Sequence, residues 1–417
     1  MSSQARIERP RGTHDVVPAE QPLWRLVVGE AERLCALYGY RPIVTPMFED
    51  TALFERTSGA GSDVVQKEMY TFEDRGGRSL TLRPEGTAPI CRAYVEHGMH
   101  REGQPVKLYV VGPMYRYAAP QRGRYREHWQ LSVEAIGSDH PSVDAEVIQL
   151  YHALLSRLGV TEFTLALNSI GCPACRPAYL ERLNEWLEAN LQRLDATTRE
   201  KASASPLRVF DNYDAKPQAV QDALDDAPKI GESLCEACRE HFAAVLRDLD
   251  ACGVPYEIVA TLVRGLDYYT RTTWEFLGPD EGAQSALSGG GRYDGLVEQI
   301  GGPPIPGVGF GAGIERLVLA VEQAGREAAT PAMDVFFTID DSASRELVAT
   351  WLGTLRQRGI ASDTDYAGRS LKGQLTQASR LGAETVVQVR ADGATVRRRG
   401  HADEEVALDD VLARLTS

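Results

Sequence analysis

Between residues 18 and 37, apolar side chains recur at Leu23, Leu26, Val27, Leu34 and Leu37, the spacing of one helix face, and Gly39 follows as a stop. The next stretch, 41–49, contains Pro42 and Pro46. Neither offers a backbone donor, so a strand here is expected at a sheet edge or an interface, where it can meet a second subunit. From 79 to 137 short strand-like runs alternate with turns, and 143–158 has a helical pattern. This predicts an antiparallel sheet with attached helices. A more polar, helix-rich stretch, 171–253, reads as an insertion, and strand-like segments resume at Tyr256. Small residues at 324–330 form a linker, and beyond it apolar runs at 334–339 and 385–389 flank helical patterns, the order of a separate α/β domain. The expected organisation is a domain at 1–323, a linker at 324–330 and a domain at 331–417.

The stretch 126–136 alternates at period two. Arg126, His128, Gln130, Ser132 and Glu134 fall on one side, and Trp129, Leu131, Val133 and Ala135 on the other. On this pattern alone an ordinary solvent-facing strand competes with a polar binding surface. A second apolar strand at 106–111 leads to Tyr115 and Arg116, and the link between the two carries Gln121, Arg122, Gly123 and Arg124. A basic, flexible hairpin suits a polyanion, because arginine's planar fork grips phosphate and glycine admits close approach. The competing reading is a solvated charged hairpin.

Residues 80–87 read as a short strand that turns at Pro84 and Gly86 into a helix capped by Thr87, with Glu85 at the turn. There Glu85 can hold an ammonium group or simply favour the helix start. Residues 307–320 alternate glycines at Gly307, Gly309, Gly311 and Gly313 before a helix carrying Arg316. Glycines strip side chains from a strand, and a flat adenine suits that bare surface. A dinucleotide fingerprint is rejected, since Ala312 breaks its spacing and no βαβ unit precedes it.

At 417 residues and 43% apolar, the chain is too long for one comfortable core. No stretch offers the roughly 20 apolar residues that span a bilayer, and residues 1–11 lack the apolar core of a signal peptide, so a cytoplasmic protein is expected. A formal charge of −14 argues against a general nucleic-acid coat but leaves room for a local basic groove. Seven cysteines are an odd number, which suits a reducing compartment. Cys35, Cys91 and Cys252 lie among apolar residues and are expected to be buried, inert thiols. Cys172, Cys175, Cys235 and Cys238 form two Cys-x-x-Cys pairs bracketing the insertion. Four thiolates make a tetrahedral zinc set, with plain thiols as the alternative.

The three elements around Glu85, Arg116 and Arg316 resemble, in this order, the signature motifs of class II aminoacyl-tRNA synthetases. Residues 262–269, Leu-Val-Arg-Gly-Leu-Asp-Tyr-Tyr, and 289–296, Gly-Gly-Gly-Arg-Tyr-Asp-Gly-Leu, resemble the histidyl members, as do 11–15 and the loop 120–126. The resemblance implies an α+β fold: an antiparallel-sheet catalytic core with a helical insertion and a carboxy-terminal α/β anticodon-binding domain. It implies Arg116, Arg264 and Arg316 as catalytic residues, with Gly309, Gly311 and Gly313 joining them around ATP. It implies a histidine pocket of Glu85, Gly86, Thr87, Gln130, Glu134, Tyr268 and Tyr269. Gln121 and Arg122 would meet the tRNA acceptor end. ATP, Mg2+, L-histidine, tRNA(His) and a second copy of the chain are the implied ligands and partners, with no membrane. The competing reading is a non-catalytic, synthetase-like regulatory subunit of ATP phosphoribosyltransferase; the retained arginines and terminal domain favour the ligase.

Overall fold

The computed structural model describes residues 6–59, 64–266, 268–279, 286–330, 332–340 and 343–416. Residues 1–5, Asp267 of the 262–269 segment and Pro331 therefore lie outside the description. The chain forms two compact units, Met1–Ala328 and Ala329–Ser417.

In the first unit, eight described strands form one sheet in the order β1 (Arg41–Pro42), β5 (Val106–Tyr115), β6 (Glu127–Ile136), β11 (Gly307–Gly313), β10 (Ala286–Arg292), β9 (Thr270–Leu277), β7 (Thr164–Ser169), β8 (Glu257–Ile258). The central pairings are antiparallel, and the two-residue edge strands β1 and β8 join in parallel. Pro42 thus sits on an edge, where its missing donor does no harm. A smaller sheet runs β2 (Phe48–Asp50), β4 (Ser79–Leu82), β3 (Tyr70–Glu73), with α2 (Thr51–Ser58) directly after β2.

Helices cover both faces of the large sheet. On one lie α1 (Gln21–Leu37), α4 (Pro141–Leu158), α8 (Glu236–Ala251) and α10 (Ile314–Gln323). Val27 and Leu34 of α1, Ile148 of α4 and Leu317 of α10 share a core with Leu131, Val133, Phe310 and Trp274 of the strands. On the other lie α3 (Thr87–Glu96) and α9 (Leu296–Gln299), where Ile90 and Leu296 pack with Val106, Leu108 and Val110. The α1 face is narrower than its periodicity predicts, because Leu37, on the last turn, is 63% exposed.

Between β7 and α8 the insertion contains α5 (Arg176–Asn190), α6 (Ala196–Ala204) and α7 (Gln218–Asp225). It has a core of its own, including Tyr179, Leu183, Val209, Phe210 and Leu224.

The second unit is an α/β sheet ordered β13 (Ser362–Thr364), β12 (Val335–Ile339), β14 (Thr385–Val389), β15 (Ala394–Arg398), β16 (Glu404–Val406), with α11 (Arg345–Gln357), α12 (Leu371–Arg380) and α13 (Val411–Thr416). The first three strands are parallel, and β14, β15 and β16 pair antiparallel. Among the described residues no helix is long and apolar enough to cross a membrane. Cys35 and Cys91 are buried as expected, and burial pushes the Cys35 thiol up to about 12. Cys252 is a correction: it is exposed, because it stands at the carboxy-terminal cap of α8, where the helix leaves the core.

Candidate active site

A cleft of about 520 Å³ opens on the polar side of β6. The alternation along that strand places Leu131 and Val133 in the core and turns His128, Gln130, Ser132 and Glu134 the other way. This polar side is not a solvated face. Ser132 and Glu134 are wholly buried, because the turn into α3 crosses over them. A Cβ on Gly86 would stand 2.3 Å from the Ser132 hydroxyl oxygen, so this turn can approach β6 only with glycine there.

The helix cap differs from the sequence expectation. Thr87 is the first helical residue, and the capping groups are the Glu85 carboxylate oxygens, which accept from the backbone N–H groups of Thr87 at 2.5 Å and Ala88 at 2.9 Å. The Thr87 hydroxyl is turned to Glu134, which accepts it at 2.7 Å, and the Tyr293 hydroxyl donates to the other Glu134 oxygen at 2.6 Å. Burial raises the pKa of both carboxyls, against the hydrogen bonds that lower it, and Glu134 stands well above the usual carboxylate range.

Three arginines face the cleft from different elements. Arg116, just past β5, donates through Nε to the Pro84 carbonyl at 2.7 Å. Arg264 pairs with Glu275 of β9 and crosses Gly289, whose Cβ would collide with the guanidinium at 2.4 Å. Arg316, on the first turn of α10, donates to the Ala286 carbonyl. His128 lies among them, and burial together with Arg116, Arg316 and Arg124 lowers its pKa to about 3. It is therefore a neutral ring in a cationic wall. Glu315, beside Arg316, is raised to about 7 by burial, although both its oxygens accept the Trp129 backbone N–H.

The candidates divide by position. Glu85, Thr87, Arg116, Gln130, Arg264, Tyr268, Tyr269, Gly311, Gly313 and Arg316 line this one cleft. Gly86, Glu134 and Gly309 stand behind its wall: a Cβ on Gly309 would overlap Glu134, and one on Gly311 would come within 2.7 Å of the Gln130 amide. Gln121 and Arg122 lie on the hairpin outside it. Gln121 bridges back to Arg124, and Arg122, 75% exposed, borders a second hollow that Arg316 also lines. Gly123, at φ +72°, lets the hairpin rest on Leu319 of α10, where a Cβ would come within 2.9 Å.

Sequence reasoning missed several neighbours. Tyr293 lies inside the quoted 289–296 motif and was findable there. Glu315 likewise lies inside the 307–320 segment beside Arg316, whereas Glu275 had no local signal. Asp211, Asn212 and Tyr213 of the insertion also line the cleft, brought there by the fold of a polar segment. At the foot of the insertion, Cys172, Cys175, Cys235 and Cys238 converge, with their four sulfurs within 4.8 Å of one another.

A family model described as histidyl-tRNA synthetase matches residues 12–317. Among curated relatives, the histidine–tRNA ligase of Moorella thermoacetica is 48% identical over 97% of this chain and 96% of its own. That of Desulforudis audaxviator is 46% identical over 98% of both. Apo histidyl-tRNA synthetase from S. aureus superposes with a TM-score of 0.81 at 36% identity, covering 99% of this chain and 100% of that one. A Bacillus halodurans structure titled as an ATP phosphoribosyltransferase regulatory subunit/histidyl-tRNA synthetase superposes at 0.65 with 24% identity, a likeness of fold. Sequence relatedness across nearly the whole length, on top of a shared architecture, makes this chain a member of the histidyl-tRNA synthetase family.

Proposed function

We propose that this protein is a histidine–tRNA ligase. It activates L-histidine with ATP to histidyl-adenylate, releasing pyrophosphate, and then passes the histidyl group to the 3′ end of tRNA(His), releasing AMP. One observation carries the reading: a single cleft joins an end with a buried carboxylate, Glu85, and a half-buried amide, Gln130, to an arginine end, Arg116, Arg264 and Arg316. The first suits an ammonium and an imidazole, and the second suits a triphosphate.

In the first step a histidine carboxylate oxygen attacks the α-phosphorus, and the bond to the bridging oxygen of pyrophosphate breaks. Arg116 and Arg264 hold the α-phosphate side, and Arg316 the outer phosphates and adenine. An arginine stays protonated throughout, so these groups neutralise growing charge without moving protons. His128, held neutral, adds a polar ring without repelling the adjacent guanidiniums. The bare strand end at Gly313, where a Cβ would meet only Arg316 carbons at 3.8 Å, leaves room for a flat base, while Gln130 fills the space over Gly311. Glu85 receives the substrate ammonium, Tyr268 and Tyr269 wall the imidazole, and Glu134 acts from behind by orienting Thr87 and Tyr293. A pocket of buried hydrogen-bonding groups rejects apolar amino acids that leave them unpaired. In the second step the terminal adenosine hydroxyl attacks the adenylate carbonyl and AMP leaves, with Gln121 and Arg122 on the acceptor side.

Magnesium is read as arriving with ATP. Among the described residues the one set of three or more metal-capable side chains is the cysteine cluster, and magnesium commonly keeps phosphate and water ligands. Arriving with ATP, it would supply further charge neutralisation at the phosphates, beside Arg116, Arg264 and Arg316. The four cysteines are read as a zinc site. The second unit is assigned to the anticodon, with Arg369 and Lys372 among its basic residues. Exposed Val44, Met47, Phe48 and Phe72, on and beside the small sheet, support a homodimer, and the cytoplasm is the proposed compartment.

Pyrophosphate exchange with each of the twenty amino acids tests the reading. Exchange with histidine alone, followed by charging of tRNA(His), is expected. Silence with every amino acid would return the regulatory-subunit reading.

A further inference from the structure

The insertion leaves the sheet after β7 and returns through α8, and the four cysteines sit at those two ends. Cys172 and Cys175 occupy the turn before α5, and Cys235 and Cys238 the start of α8. Their sulfurs are 3.6 Å apart for Cys172–Cys175 and 3.9 Å for Cys172–Cys235. Tetrahedral zinc with Zn–S bonds of about 2.3 Å requires sulfurs about 3.8 Å apart. The Cys235 backbone N–H points at the Cys175 sulfur at 3.2 Å, an outer contact that stabilises a bound thiolate. All four are free thiols.

This cluster is wired to the cleft. Arg176, the residue after Cys175, opens α5 and donates to the carbonyl of Tyr269 and, at 3.3 Å, to that of Ile170. Tyr269 stacks obliquely on Tyr268 with centroids 4.7 Å apart, and both line the cleft. From the same insertion, Arg208 donates to the Gly265 carbonyl at 3.1 Å, next to Arg264.

We propose that Cys172, Cys175, Cys235 and Cys238 bind one zinc ion that fixes the foot of the insertion, so that Arg176 holds the Tyr268–Tyr269 wall in its substrate-binding position. Arg176 is then a positioning residue: it touches no substrate and acts through the Tyr269 backbone. Its effect belongs mainly to histidine binding, because at the arginine end Arg116 and Arg316 hang on other supports, Pro84 and Ala286, and Arg264 is held by its pairing with Glu275. The metal half of the proposal stands on the sulfur geometry alone, and the positioning half rests on the ligase reading.

The test uses the full chain purified without chelator from zinc-supplied cells. Elemental analysis is expected to find about one zinc per chain, as for a closed four-thiolate site, and Cys172→Ser/Cys235→Ser to lose it. Arg176→Ala is expected to keep its zinc and raise the histidine KM about tenfold, the cost of one charged hydrogen bond, while kcat and the ATP KM stay within about twofold. Arg176→Lys is expected to recover part of the loss. Zinc well below stoichiometry, or four thiols that pair into disulfides instead, overturns the metal site. Full zinc with an unchanged histidine KM in Arg176→Ala, or an equal rise in the ATP KM, overturns the positioning role. If exchange is silent with every amino acid, the ligase reading fails separately. The zinc content then still decides the metal site, and histidine titration calorimetry on wild type and Arg176→Ala decides the positioning.

Discussion

The Thr87 hydroxyl donates to the Glu134 carboxylate at 2.7 Å, joining the first residue of α3 to the last third of β6. The bond spans 47 positions of sequence and leaves neither partner exposed to water. Thr87→Val keeps the shape and removes the donor, so a buried acceptor loses a partner. A loss of about 1–3 kcal/mol in unfolding free energy is expected by urea titration, together with a higher histidine KM. A variant as stable as wild type would show that Glu134 does not need Thr87.

Arg116 is anchored to the Pro84 carbonyl with the rest of its guanidinium toward the cleft. Arg116→Ala is expected to lower kcat for histidine-dependent pyrophosphate exchange roughly 10²- to 10³-fold, the usual scale for a charge-stabilising donor. Arg116→Lys is expected to rescue little, since a point charge does not reproduce a planar fork. Circular dichroism should find both variants folded.

Arg122 stands on the exposed hairpin outside the cleft. Arg122→Ala is expected to slow transfer to tRNA in single turnover while leaving adenylate formation near wild type. Equal losses in both steps would remove it from the acceptor side.

His128 gives the acid limb of stability a definite sign. Its pKa falls from 6.5 unfolded to about 3 folded. Above pH 6.5 both states are neutral. As pH falls from 6.5 toward 3 the unfolded chain takes up a proton that the folded chain refuses, so stability is lost in that window. His128→Gln is expected to lose less stability than wild type between pH 7.5 and 4.5, by on the order of 1 kcal/mol after allowance for cleft water. Parallel unfolding curves would place the His128 ring in contact with water.

Asp144 and Arg292 form an ion pair with both side chains wholly buried, at 2.8 Å, and His241 shares the same carboxylate at 3.0 Å. The group ties α4, β10 and α8 together. Asp144→Ala leaves the buried guanidinium only Asp294 and the Ser138 carbonyl, both on one of its nitrogens, and a loss of about 3 kcal/mol is expected in denaturant titration. A cost below about 1 kcal/mol would mean that water replaces the carboxylate.

What the sequence determined alone was local. The alternation along 126–136, the glycine ladder before Arg316 and the helix of 143–158 each follow from short-range periodicity and turn chemistry, and these segments adopt the same structure in the fold. The cleft lining was legible to the same extent: Glu85, Gln130, Arg116, Arg264 and Arg316, which all face it, stand inside or beside recognisable patterns. Tertiary structure decided which surfaces were wet. The same period-two pattern fits a solvated strand and a buried one, and α3, with glycine at position 86, selects the second by covering Ser132 and Glu134. The insertion's Asp211–Tyr213 wall, the Glu275 partner of Arg264, the exposure of Cys252 and the meeting of two Cys-x-x-Cys pairs 60 residues apart have the same origin. Each is a long-range contact, and such contacts depend on how whole elements pack, which no local window of sequence contains.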